Sequence, residues 1–165
     1  MNAAAGTITI RPAGAHEMPL VLSFIRELAE YEHLEHEVVA TAADLSRALH
    51  GPRPYAEVAF ACVNGTPLGF ALFFHNFSTF LGKPGIYLED LFVRPEARGR
   101  GLGRRLLAWL ARTALERGCA RLDWAVLDWN APSIGFYLGL GAQRKDEWTT
   151  FRLTGDALQR LAQDG

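Results

Sequence analysis

Residues 86–107 read IYLEDLFVRPEARGRGLGRRLL, and the order of residue types in this stretch decides the fold. An apolar, strand-like run over 86–93 meets a turn at Pro95. A stretch rich in arginine and glycine follows, Arg98-Gly99-Arg100-Gly101-Leu102-Gly103-Arg104-Arg105, and an amphipathic helix begins. Strand, glycine-rich turn and helix in that order make an anion-binding site. The first turn of a helix has about four N–H groups without intrahelical partners, and its dipole favours negative charge there. Gly99, Gly101 and Gly103 carry no Cβ, so a phosphate can approach the backbone. Arginines on the same turn add planar donor forks that match phosphate oxygens. The spacing excludes two common alternatives. G-x-x-x-x-G-K-[ST] is absent, and Gly99-x-Gly101-x-Gly103 is not the dinucleotide fingerprint G-x-G-x-x-G. What remains is Arg-x-x-Gly-x-Gly, at Arg98, Gly101 and Gly103.

Outside this stretch the composition is that of an ordinary globular chain. Its 165 residues suit one domain with a real core. No apolar run reaches the ~18 residues of a membrane helix, and the start lacks the pattern of a signal peptide. Cys62 and Cys119 form no C-x-x-C, and Cys119 behind Gly118 reads as structural. A cytoplasmic location is the expectation. The net charge of −1 hides a segregation: five arginines fall within 94–105 and five glutamates within 27–37. That pattern suits one site for an anion and another for a cation, as well as two solvated helix faces. His16, His33, His36, His50 and His75 show no metal-ligand spacing, so no metal is expected.

Taken in order, residues 7–11 alternate as a first strand. Met18, Val21, Leu22, Ile25, Leu28 and Ala29 recur at helical spacing to about Tyr31. Thr41-x-x-Asp44 resembles a capping box and starts a short helix to about His50. Residues 57–63 and 68–76 read as strands, joined by the hairpin signal Asn64-Gly65. A loop over 77–84 leads to the fourth strand. The helix after the glycine loop ends near Gly118. A fifth strand over 121–127, a helix over 131–140, strands near 143–145 and 149–153, and a helix over 156–163 complete the chain. The pattern predicts a mixed α/β (α+β) fold: a mostly antiparallel sheet of about seven strands with helices on both faces.

A second motif stands at Asn130-Ala131-Pro132-Ser133-Ile134-Gly135-Phe136-Tyr137, followed by Gly139-x-Gly141-Ala142. With the Arg98 loop and the order of elements, it resembles the GNAT N-acetyltransferase superfamily over nearly the whole chain. Arg26-Glu27-Leu28-Ala29-x-Tyr31-Glu32, Tyr87-Leu88-Glu89-Asp90-x-Phe92-Val93 and Asp128-Trp129-Asn130 look like signatures of its diamine (spermidine/spermine) and thialysine acetyltransferase branch. The resemblance implies a single GNAT domain over 1–165 with a sheet splayed between strands 4 and 5. It also implies acetyl-CoA as co-substrate and a homodimer.

The resemblance assigns the site residues. The loop Arg98, Gly99, Arg100, Gly101, Leu102, Gly103 and Arg104 would take the pyrophosphate. The strand edge Leu91, Phe92 and Val93 would pair with the amide-bearing pantetheine arm as with a peptide. An N–H of Phe92 or Val93 there would polarise the thioester carbonyl. Asn130, Pro132 and Ser133 sit where the family makes further cofactor contacts. Tyr137 would protonate the departing thiolate: a phenol ionises near pH ~10, so the proton is present at neutral pH. Glu89 would accept the amine proton, directly or through water. Alternation along the strand places Tyr87, Glu89, Leu91 and Val93 on one face and Leu88, Asp90 and Phe92 on the other. Tyr31, Glu32, Glu89, Asp90, Asp123 and Trp124 match substrate-contacting positions.

The reading that follows is an N-acetyltransferase moving acetyl from acetyl-CoA to a primary amine of a small cationic acceptor, a diamine, polyamine or lysine-like amino acid, by direct attack. Nucleic acid and membrane partners are not expected. Acetylation of a protein lysine or N-terminus, or a non-catalytic CoA-binding module, are the alternatives. The short hairpin at Asn64-Gly65, the loop over 77–84 and the segment 143–148 depart from the branch around the expected acceptor pocket.

Overall fold

Asn64 and Gly65 both take positive φ, 50° and 83°, and close a two-residue hairpin as a type I′ turn requires. The hairpin joins β2 (Glu57–Val63) to β3 (Thr66–Ser78) in a computed structural model that describes residues 6–163. β1 (Ile8–Pro12) pairs antiparallel with β2, and β4 (Lys83–Val93) antiparallel with β3. β5 (Leu122–Trp124) lies parallel to β4, so the sheet runs in sequence order and is mixed but mostly antiparallel. Among the described residues the sheet has five strands, not about seven. Residues 143–145 and 149–153 form no strand, and the fifth strand is shorter than 121–127. β3 and β4 are instead longer than their apolar runs, and the loop expected over 77–84 shrinks to a tight turn over 79–82. Both strands continue through polar residues because ladder hydrogen bonds accept any side chain that fits the surface.

The helices α1 (Met18–Glu32) and α2 (Ala42–His50) precede the hairpin. Thr41 and Asp44 cap α2 reciprocally, as the capping-box spacing predicts. Met18, Val21, Phe24 and Leu28 of α1 meet Val58, Phe60, Cys62, Phe70 and Phe92 in one core cluster. Helical spacing of 3–4 meets strand spacing of 2, each presenting a single apolar face. α3 (Leu102–Glu116) buries Leu102, Leu106, Leu107, Leu110 and Ala114. Its Trp109 packs edge-on against Phe73, on the sheet face opposite the Phe70 cluster. Arg94, just past β4, straps that strand to α1: its Nε and Nη2 donate to Glu27 at 2.9 and 2.8 Å. The guanidinium beside Glu27 holds that carboxyl below its usual range despite burial.

The described chain divides into two compact units, with the division after Ala125. The first holds the sheet and α1–α3. The second holds α4 (Ala131–Gly139) and α5 (Gly155–Leu161).

Candidate active site

β4 changes character half-way. Its first half pairs with β3 on one side and, over Ile86–Leu88, with Leu122–Trp124 of β5 on the other. Beyond Leu88, residues 89–93 continue along β3 alone among the described residues, so the far edge is open. This is the splay expected between strands 4 and 5. Arg94 N–H donates to Leu68 C=O at 2.9 Å. Amides alternate sides along a strand, so Phe92 also turns toward β3, while Leu91 and Val93 turn to the open edge. The edge donors are therefore Leu91 and Val93; Phe92, one of the two expected, is committed to the sheet.

The simple alternation of side chains fails at Glu89. Asp90 stands opposite Leu72, but Leu88 stands opposite Phe73, so Glu89 is an extra residue in a β-bulge. The bulge exchanges faces. Asp90, with Phe92, lies on the α1 side of the sheet, next to the partly buried Leu72 that packs on the core there. Tyr87 lies on that same side, its ring 5.2 Å from that of Phe74, while buried Leu88 turns to the α3 side. Tyr87 and Asp90 thus share a face that sequence alternation assigns to opposite sides, and Glu89 stands exposed in the bulge.

Three carboxyls gather here. Asp90 is pushed up to about 7, first by burial and then by the like charges of Glu89 and Glu32. Glu32, at the end of α1, is also raised by burial. Tyr31 beside it packs toward Phe92, ring centroids 6.5 Å apart. Asp123 differs. Its Oδ2 pairs with Arg121 Nε at 2.8 Å and accepts from Asn76 Nδ2 at 3.1 Å, so its charge is already answered. Trp124 stands opposite Leu88, one residue on from Asp123, and so on the other face of β5. The structure brings Tyr31, Glu32, Glu89 and Asp90 together and leaves Trp124 apart.

The glycine loop takes the form its spacing requires. Gly99 and Gly101 have φ of 73° and 81°. A Cβ at either would meet nothing within 4 Å, so the left-handed backbone, not crowding, demands glycine there. Gly101 is the N-cap of α3, and the first intrahelical bond runs from Arg105 N–H to Gly101 C=O at 3.0 Å. The amides of Leu102, Gly103 and Arg104 precede it and form the helix's anion-binding end. Arg100 and Arg104 are exposed on this loop. Arg98 is turned back instead: its Nε donates to Val93 C=O at 2.9 Å. A helix start that accepts an anion, beside an open strand edge that accepts an extended amide, fits a phosphate-bearing pantetheine thioester.

In the second unit, Asn130 caps α4, its Oδ1 accepting from Ser133 N–H at 3.3 Å, with Pro132 in the first turn where its missing N–H costs nothing. Tyr137 lies half-buried on this helix, its ring 5.4 Å from that of Phe136. No group of three metal-ligating side chains occurs among the described residues, and no helix there is long and apolar enough to cross a membrane.

Comparison with known proteins decides the family. A sequence profile described as the acetyltransferase (GNAT) family matches residues 21–142. The chain belongs to the GNAT acetyltransferases. It is 37% identical to the thialysine N-epsilon-acetyltransferase of Bos taurus, over 94% of this chain and 97% of that one. It is 32% identical to the L-ornithine N5-acetyltransferase of Arabidopsis thaliana, over 92% and 86%. Among solved structures, an integron cassette protein from the mobile metagenome of V. cholerae superposes with a TM-score of 0.79 at 28% identity, covering 95% of this chain and 98% of that one. An aminoglycoside acetyltransferase from a soil metagenome shares the fold with a TM-score of 0.76 at 15% identity, covering 90% and 97%. This GNAT protein is an acetyl-CoA-dependent N-acetyltransferase.

Proposed function

We propose that this GNAT enzyme acetylates one amine of a small acceptor that carries a second cationic group, a diamine, polyamine or lysine-like amino acid. One observation carries the reading: Glu32, Glu89 and Asp90 share one end of the sheet, and among the described residues none of them has an ion-pair partner. Carboxylates left unneutralised on a partly buried face are costly unless a cation arrives. The names of the relatives, which act on thialysine and ornithine, point the same way.

The co-substrate supplies an acetyl group activated as a thioester. The first-turn amides of α3 and the exposed Arg100 and Arg104 hold its diphosphate, with Asn130, Pro132 and Ser133 adding contacts from α4. The Leu91 and Val93 amides on the open edge hold the extended arm. An edge N–H aimed at the carbonyl oxygen is worth ~3–4 kcal/mol of barrier. Glu32 and Asp90 hold the distal ammonium of the acceptor. Glu89, exposed in the bulge, takes the proton from the reacting amine, directly or through water, and Tyr137 gives its phenolic proton to the leaving sulfur. The GNAT match runs across the division at Ala125, which supports one domain over the whole chain. We also propose a cytoplasmic location, no nucleic-acid or membrane partner and, by the family resemblance, a homodimer.

A panel of polyamines, lysine analogues, neutral amines and peptides, assayed for release of free CoA thiol, tests this. Dicationic small amines should be preferred. A preference for peptides, or CoA binding without turnover on any amine, would overturn it. Tyr137→Phe should lower kcat by roughly 10²–10⁴ with little change in CoA affinity; unchanged turnover removes Tyr137 from its role.

A further inference from the structure

We infer that Arg98 is a positioning residue that locks the open edge of β4 to the phosphate loop, its guanidinium serving Val93 and two aromatic rings rather than the diphosphate. The inference rests on the proposed use of that edge by the co-substrate. Arg98 leads the Arg-x-x-Gly-x-Gly motif, where a cation beside phosphates is the simple expectation. Its side chain goes elsewhere. Nε donates to Val93 C=O at 2.9 Å. The guanidinium carbon lies 5.1 Å from the centroid of Tyr31 and 5.5 Å from that of Phe92. A planar cation over aromatic faces gains cation–π attraction, and Arg does this better than Lys because it is flat and weakly hydrated.

Local geometry shows what the lock does. Residues 94–98 form a tight turn, closed by Ala97 N–H to Arg94 C=O at 2.9 Å and Arg98 N–H to Pro95 C=O at 3.2 Å. The Nε bond completes a ring from the last residue of β4 to the residue before Gly99. Val93 C=O faces the open edge, and Arg98 occupies it. An extended ligand therefore meets N–H groups at Leu91 and Val93 but finds its edge carbonyl at Leu91. The same guanidinium touches Tyr31, whose neighbour Glu32 belongs to the acidic face. One side chain thus ties together the anion-binding loop, the strand edge and the acceptor end of α1.

Covalent geometry supplies a clean test. In glutamine, Nε2 is attached to Cδ, as Nε is in arginine. Arg98→Gln keeps a donor at that position and loses the charge. Arg98→Lys keeps the charge and loses that donor. Arg98→Met loses both at similar length. Three measurements separate the roles: amide hydrogen exchange over 91–98 in the cofactor-free protein, calorimetric titration with inorganic pyrophosphate, and kcat/KM with acetyl-CoA and with S-acetylpantetheine, which has no diphosphate. Arg98→Lys and Arg98→Met should exchange faster over 91–98 and lose about tenfold or more in kcat/KM with both thioesters, whereas Arg98→Gln should lose about threefold or less. Pyrophosphate affinity should change little in all three variants. The inference is overturned if Arg98→Lys behaves as wild type while Arg98→Gln matches Arg98→Met. It is also overturned if the losses vanish with S-acetylpantetheine, or if exchange over 91–98 is equal in all four proteins. If the wild type turns over no amine, the proposed function fails, and the exchange ranking still decides Arg98.

Discussion

The two halves of β4 differ in neighbours far more than in composition. Over 83–88 the strand has β3 on one side and, from Ile86, β5 on the other, and Ile86 and Leu88 are buried. Over 89–93 it has β3 alone, and there the carboxyls, the bulge and the free edge amides collect. A strand satisfied on both sides has nothing left to offer a ligand. A strand satisfied on one side keeps a row of donors and acceptors in fixed spacing, which is what an extended, amide-bearing molecule needs. Termination of β5 at Trp124 is therefore the step that turns structure into a site.

The comparison can be broken most directly on the backbone. Leu91→Pro removes one edge N–H without touching the ladder to β3. It should cut kcat/KM with acetyl-CoA by about 10²–10³ while leaving the fold in place. The same change at Ile86 removes the donor to Arg121 C=O, a 3.0 Å bond to the residue just before β5, and should prevent stable folding. If both variants fold and work alike, the two halves do not differ as argued. Next in size, Ile86→Ala hollows the closed half, where Ile86 is 0% exposed. It should cost about 2–5 kcal/mol in denaturant unfolding, with kcat per folded molecule nearly unchanged.

Smaller, and opposite in sign, is Asp90→Asn in the open half. The folded protein raises Asp90 from 3.8 to about 7, so it binds more protons than the unfolded chain between those values. Stability is thus lost as pH rises through that window. The amide should stabilise the protein by about 1–3 kcal/mol at pH 8 and by nothing below pH ~4, read as the difference in Tm between the two pH values. The same variant should raise KM for dicationic acceptors and flatten its pH dependence near neutrality. A variant that is less stable at pH 8 would mean that Asp90 is not a strained charge awaiting a cation.

Much of the closed half and its surroundings was legible in the sequence. Asn64-Gly65, the Thr41–Asp44 cap and the glycine loop each specify local backbone by covalent chemistry, and the structure follows them. The open half was legible in composition but not in geometry. A bulge is a one-residue mismatch between two strands, and nothing in Leu88-Glu89-Asp90 announces it. Period-2 alternation therefore misassigned the faces of Tyr87 and Asp90. The pairing of Asp123 with Arg121 and Asn76, and the turn of Arg98 back onto Val93, depend on neighbours brought together by the sheet. The strand expected at 149–153, Thr-Thr-Phe-Arg-Leu, fails because β-branched and aromatic residues make a strand only where an edge receives them, and Gln143-Arg144-Lys145 lacks even that composition.

The odd residue at Glu89 also sets what kind of genetic change this strand can survive. Exchanging one side chain for another there leaves the reading of inside and outside intact on either flank. Dropping the Glu89 codon would make Leu88 and Asp90 neighbours on opposite sides of the strand, which is where they already stand, so both flanks would keep their faces. In a saturation library the fold should tolerate replacement or loss of Glu89, with the cost appearing in turnover alone.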